Sequence, residues 1–352
     1  MKLTDELILI KDKPARNRIV MPPMDTLMAS DGFANDFHIQ HYGARAYGGV
    51  GTIIVESTAV SKEGRIREND LGIWKDEHIE NLTKVAKIIK KGGAIAGIQL
   101  NHAGSKADLD TETIGLTKYF DYMNQDKLKI ASIQDLKIIK DKFIAAAFRA
   151  KQANFDFVEI HAAHGYLLSE LISPKLNDVI VSDDILVRTQ LIIDIIDEIN
   201  EKVKIPVGIR VSFTDHTPGG MELTAYKPFV KTLENKLIYF HVSSGETLAR
   251  VRMSDIIADL GHKLFRLPIA TEVKKWTKTP LITVGNFGSL DDVNKAMNAN
   301  IDAVAMGRVL IYNPNHVVNN LLTVDELDKT KYHWNDNLWF SYQHYKAIIT
   351  KK

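Results

Sequence analysis

Short apolar runs, each followed by a longer stretch with helical spacing, recur along the whole chain. They cover Arg18–Met21, Thr52–Glu56, Ala94–Leu100, Phe157–His161, Val207–Val211, Leu237–Val242, Leu281–Gly285 and Ala303–Met306. Most are continuously apolar rather than alternating, the pattern of parallel strands covered on both faces. Between two of them, Asp76–Lys91 places Ile79, Leu82, Val85 and Ile89 on one face, with acids leading and lysines trailing, as the helix dipole favours. Ser132 with Asp135, and Ser289 with Asp292, have the spacing of capping boxes and predict helix starts. This alternation predicts an α/β fold, a single closed (β/α)8 TIM barrel. A doubly wound open sheet is the competing architecture, but no G-x-G-x-x-G follows a predicted strand. No composition shift marks a boundary. Residues 1–352 therefore read as one domain, with an excursion at about 104–131 and a C-terminal extension at about 323–352.

Composition and charge narrow the function classes. Forty-five basic residues against forty-four acidic ones leave a net charge of +1, so no overall field recruits nucleic acid or an anionic membrane. The N-terminus has charges on both sides of a short apolar run and no small-residue cleavage site, and no stretch reaches eighteen uncharged apolar residues. A cytoplasmic protein is the expectation. The chain has no cysteine, which removes thiolate nucleophiles, disulfides, cysteine-ligated zinc and iron–sulfur clusters.

In a barrel of this kind the active site forms at the C-terminal ends of the strands, and those ends are polar here. They read Met21-Pro22-Pro23-Met24-Asp25, Glu56-Ser57, Gln99-Leu100-Asn101-His102, His161-Ala162-Ala163-His164-Gly165-Tyr166, Arg210, Gly285-Asn286 and Gly307-Arg308. Each alone could merely satisfy buried backbone groups. Together they would bring two arginines and several hydrogen-bonding groups into one cavity. Gly285, Gly307 and Arg308 follow the seventh and eighth strands, where barrels often bind phosphate through backbone N–H groups; tight turns are the plain alternative for the glycines, and a phosphorylated cofactor is the expectation. His161 and His164 leave a strand without an HExxH motif or acidic cluster, so they read as neutral hydrogen-bond donors and no metal is expected.

The segments NRIVMPPM, GTIIVESTAV, EGRIRENDLGIWKDEHIE, GIQLNHAGSKA, FDFVEIHAAHGYLLSELISP and DAVAMGR followed by NP, in this order, resemble the Old Yellow Enzyme family, particularly its bacterial ene-reductases. The resemblance runs from about Asn17 to Pro314. It implies bound FMN, with NADPH or NADH as electron donor and an activated alkene (enone, enal, maleimide or nitroalkene) as acceptor in a ping-pong cycle. Pro23, Met24, Asp25, Ser57 and Gln99 would border the flavin ring, and Arg210 would stabilise its reduced anion. Gly285, Gly307 and Arg308 would hold its phosphate. His161 and His164 would grip the substrate oxygen, and Tyr166 would protonate the α-carbon. Other readings are a flavin-dependent reductase of a quinone, lipid or flavin, and a flavin-binding partner protein without turnover.

The chain also departs from the family. Asp25 and Leu27 stand where close relatives often carry Cys and Tyr, and an anionic Asp25 is expected to lower the flavin potential unless it is protonated or paired. Asn177–Asp184 replaces an Asn-Arg-x-Asp-x-Tyr-Gly-Gly loop, and Ser105 stands in place of an Arg. The tail concentrates Trp334, Trp339, Phe340, Tyr342 and Tyr345, which could pack on the barrel or form a homo-oligomer with a second copy.

Overall fold

The computed structural model describes residues 1–350 except 121–124, 217–218, 246, 249–254, 256, 259–260 and 262. Parts of the expected excursion and of the C-terminal extension thus lie outside the described residues. The barrel strands are β1 (Ile19–Met21), β2 (Thr52–Ala59), β3 (Ile95–Asn101), β4 (Phe157–Ala162), β5 (Val207–Ser212), β6 (Tyr239–Ser243), β7 (Leu281–Val284) and β8 (Ala303–Ala305). Each pairs in parallel with its sequence neighbour. β8 pairs with β1 through Val304–Ile19 and Ala305–Val20, which closes the barrel.

The outer helices are α1 (Asp36–Tyr47), α2 (His78–Lys91), α3 (Ile133–Gln152), the short α4 (Leu167–Ile172), α5 (Ile185–Glu198), α6 (Lys227–Leu233), α7 (Leu267–Lys274), α8 (Leu290–Asn298), α9 (Arg308–Tyr312) and the C-terminal α10 (Asp336–Thr350). Both capping boxes form: Ser132 and Ser289 cap α3 and α8, each with reciprocal bonds to the Asp at the third helical position. The helix expected over Asp76–Lys91 begins two residues later, at His78.

Inside the barrel, Val20, Ile54, Phe157, Tyr239 and Ile282 fill the lower layers, closed from below by Leu7 and Ala15 of an N-terminal hairpin. Large and small residues interlock there. A Cβ at Gly97 would lie 2.1 Å from the Phe157 ring, and one at Gly208 would lie 2.3 Å from the Tyr239 ring. Outside, the apolar helix faces bury Leu82, Val85, Phe143, Ile192, Phe229 and Val293 against the strands.

The excursion contains a small parallel ribbon, Thr113–Gly115 with Leu128–Ile130. The tail packs on its own chain: Trp334 contacts Trp339 and Tyr342, and Lys346 Nζ donates to the carbonyls of Val318 and Leu322 at 2.9 and 2.6 Å. Phe340 and Tyr345 remain exposed. No helix among the described residues is long and apolar enough to cross a membrane.

Candidate active site at the C-terminal end of the barrel

A cavity of about 450 Å³, within the range of small-molecule and cofactor sites, opens between the ends of β1, β4, β5, β7 and β8. Pro23, Met24, His164, Arg210, Gly285, Gly307 and Arg308 line it, so seven of the residues singled out by sequence meet in one hollow. The backbone at this end is shaped for close approach. Gly285 has φ 140°, and a Cβ at Gly307 would stand 3.0 Å from Met24 Sδ. Arg308 opens α9 and its Nη2 donates to Asn286 Oδ1 at 3.1 Å.

β4 delivers the histidines. His161 lies on its last turn of pleat, inside the barrel; its Cα pairs with that of Arg210, which pairs in turn with His241. His164 follows in a left-handed conformation (φ 63°), a position disfavoured for a residue with a side chain, and Gly165 continues at φ 73°. The turn is held by His164 N–H donating to Ser212 Oγ at 3.1 Å and by Lys106 Nζ donating to the His164 carbonyl at 2.8 Å. A side chain at Gly165 would collide with Lys106 Nζ and the Thr247 carbonyl, both 2.7 Å from its Cβ.

The result is a cluster of three rings. The His161 ring centroid is 5.1 Å from that of His164 and 5.1 Å from that of Tyr166, both edge-on. His164 Nε2 is 2.8 Å from Ser243 Oγ, and its Nδ1 is 3.4 Å from His161 Nε2. The buried Nδ1 of His161 has no protein partner. Burial, reinforced by the Arg210 charge, holds both imidazoles well below their usual pKa and therefore neutral.

Behind this cluster lies a buried polar layer. Glu159 accepts from Gln99 Nε2 at 2.8 Å, Tyr239 Oη at 2.9 Å and His241 Nδ1 at 2.9 Å. Burial opposes its ionisation, but the His241 contact, the Arg210 charge and the Tyr239 hydroxyl outweigh that and hold the carboxyl below its ordinary range. Gln99, Ser57, His161 and Tyr166 are not among the described residues lining this cavity. Gln99 is engaged with Glu159, and Ser57 Oγ accepts from Asn101 Nδ2 at 2.9 Å.

Asp25 lines a neighbouring hollow on the far side of Met24, with His41 and Arg45. Its carboxyl contacts those of Glu56 and Asp70, and burial raises its pKa. Glu56 occupies a bulge in the β2–β3 pairing, between Val55 and Ser57, which re-aims its side chain. There it accepts from Tyr42 Oη and from Thr26 N–H, both at 2.8 Å. Burial pushes Glu56 up to about 7. Burial and the Asp25 charge push Asp70 up to about 8. Asp25 thus sits beside two carboxyls that hold their protons, and their contacts oppose the rise that burial imposes on it. The second strand, expected to finish at Glu56, runs past this bulge to Ala59.

Sequence reasoning missed Arg266, which enters the cavity from the loop before α7. Nothing in LFRLPIA marks it, because it lies far from any strand end. It also missed Glu159 and His241, although a glutamate within an apolar strand, two residues before His161, is a readable signal. Ser243 finishes β6 and Ser244 follows it, so both were open to the strand-end rule.

Residues 6–320 match the model of the NADH:flavin oxidoreductase / NADH oxidase family. An NADPH dehydrogenase of Listeria monocytogenes serotype 4b is 36% identical over 315 residues, covering 87% of this chain and 90% of the relative. One from Bacillus subtilis is 35% identical over 318 residues, with 87% and 90% coverage. Morphinone reductase solved in complex with tetrahydroNAD superimposes with a TM-score of 0.75 over 94% of each chain at 21% identity, a likeness of fold.

Proposed function

The chain belongs to the NADH:flavin oxidoreductase / NADH oxidase family, the Old Yellow Enzyme family, and from that premise we propose that this FMN-dependent NAD(P)H oxidoreductase reduces activated alkenes in a ping-pong cycle. The cavity fits the cofactor: it has glycine backbone at the phosphate end, arginines along its wall and no carboxylate among its described lining residues. Pro23 and Met24 would border the ring, Arg210 would face its electron-rich edge, and Gly285, Gly307 and Arg308 would hold the phosphate. Bound FMN supplies a two-electron carrier that takes hydride from the nicotinamide nucleotide and passes it to the acceptor.

The observation that carries the alkene reading is the unpartnered, buried Nδ1 of neutral His161 beside His164 and Tyr166. As hydride adds to the β-carbon of an enone, enal, maleimide or nitroalkene, negative charge grows on the conjugated oxygen. His161 Nδ1 would donate to that charge without reorganising, His164 would join it by releasing Ser243 or His161, and losing one such donor typically costs about 2.7–4 kcal/mol of barrier. The Tyr166 hydroxyl delivers the proton to the α-carbon. Asp25, Ser57 and Gln99 act from behind, shaping the wall and its charge.

Anaerobic stopped-flow mixing tests the reading. NADPH should bleach the flavin absorbance, and an enone should restore it. Tyr166→Phe should slow the second step by roughly 10²–10⁴-fold and leave the first within a few-fold. Equal slowing of both steps, or recovery with a quinone but not with an enone, would contradict the assignment.

A further inference from the structure

Arg266 differs in kind from the other cations of the cavity. Arg308 is exposed at the rim, and Arg210 stands among Glu159, His161 and His164 on the inner wall. Arg266 is half-buried and locked. Its Nε–H donates to Ser244 Oγ at 2.9 Å and its Nη2–H to the Ser244 carbonyl at 2.8 Å. The guanidinium carbon lies 4.6 Å from the Phe265 ring centroid. Its aliphatic stem runs beside Gly285, with Cβ, Cγ and Cδ within 3.4–3.6 Å of where a Gly285 Cβ would be. The charged group is therefore carried to the glycine-lined end, where Gly285 leaves room for backbone approach.

Ser244 is itself fixed. His216 Nε2 lies 2.9 Å from the same hydroxyl, and burial together with the Arg266 charge keeps His216 neutral. The assignment that uses every group runs from Arg266 Nε–H to Ser244 Oγ, and from the Ser244 hydroxyl hydrogen to His216 Nε2. Two guanidinium groups thus face the same end of a cavity that has no carboxylate among its described lining residues. Such an arrangement suits a dianionic phosphate monoester, and a pre-oriented arginine loses little freedom on binding one.

We propose that Arg266 is a second phosphate-binding arginine of the flavin site, with Ser244 and His216 as its positioning residues. It rests on FMN being the cofactor, and its test separates the two ideas by using riboflavin, which lacks the phosphate. Apoprotein is titrated with FMN and with riboflavin, following quenching of flavin fluorescence. Arg266→Met should raise the Kd for FMN about tenfold to a hundredfold and leave that for riboflavin within twofold, as expected for lost charge-assisted hydrogen bonds. Arg266→Lys, which keeps the charge and loses the fork, should fall between and supports the idea if Arg266→Met does not fold. Ser244→Ala should weaken FMN several-fold and spare riboflavin. Unchanged FMN affinity in both Arg266 variants, or equal losses for FMN and riboflavin, overturns the proposal. Wild-type apoprotein that binds riboflavin as tightly as FMN overturns the phosphate site as a whole.

Discussion

His161 and His164 illustrate how burial decides the chemistry of a side chain. In water an imidazole is partly cationic near neutral pH, but in the barrel mouth its charged form is penalised by desolvation and by Arg210. Both stay neutral and serve as oriented hydrogen-bonding groups. Asp25 shows the same effect with opposite sign. At low pH the Asp25–Glu56–Asp70 cluster shares protons, and as pH rises through about 7 to 8 it gains negative charge one residue from Met24. Asp70→Asn, which replaces a group that holds its proton at pH 6 and loses it by pH 9, should therefore leave the flavin midpoint potential nearly unchanged at pH 6. At pH 9 it should raise the potential relative to wild type, by on the order of 30 mV if the lost charge is worth about 1.4 kcal/mol to the reduced flavin. Spectroelectrochemical titration at both pH values decides; an offset that does not depend on pH would remove the cluster from the explanation.

At the scale of elements, the strands do two jobs at different heights. Low in the barrel they interlock, Gly208 of β5 under the Tyr239 ring of β6; high in the barrel they project polar groups. Tyr239 links the two levels, since its hydroxyl donates to Glu159, which also receives Gln99 and His241. Gly208→Ala puts a methyl group 2.3 Å from that ring, so the ring must shift. We expect destabilisation of about 1–3 kcal/mol in urea unfolding, together with altered flavin absorbance as the Glu159 layer is disturbed. Stability equal to wild type would show that the layer has slack. Periodicity and caps made these elements readable, because both signals come from residues three or four apart. The bulge at Glu56 was not readable, since it exists only through the pairing of β2 with β3.

For the molecule as a whole, the carboxyl cluster ties together the β1–α1 connection, β2, α1 through Tyr42, and the loop that carries Asp70. Glu56 and Asp70 have folded pKa values of about 7 and 8, above their ordinary values of 4.5 and 3.8. Between those limits the folded chain binds more protons than the unfolded one, so this contribution to stability is complete at low pH and lost as pH rises. Differential scanning calorimetry should show Tm falling between pH 5.5 and 8.5, by roughly 2–4 °C for each kcal/mol lost. Asp70→Asn should flatten the fall, and parallel curves for the two proteins would exclude the cluster as its source. The tail belongs to this scale too: it anchors on Val318 and Leu322 of its own chain, while Phe340 and Tyr345 stay exposed.

The sequence by itself determined the eight strands, the helix starts at Ser132 and Ser289, and the polar strand ends from which His164, Arg210, Gly285, Gly307 and Arg308 reach one cavity. Those signals are local, carried by hydrophobic period, capping chemistry and the rule that barrel sites gather at strand termini. Tertiary closure decided the rest. It brought Arg266 from a loop to the glycine-lined end, set Glu159 under the histidines, joined Gln99 to Glu159 and Ser57 to Asn101, and brought Asp25 to Asp70. Each of these depends on residues tens of positions apart meeting in space, and on the loss of water that their meeting imposes.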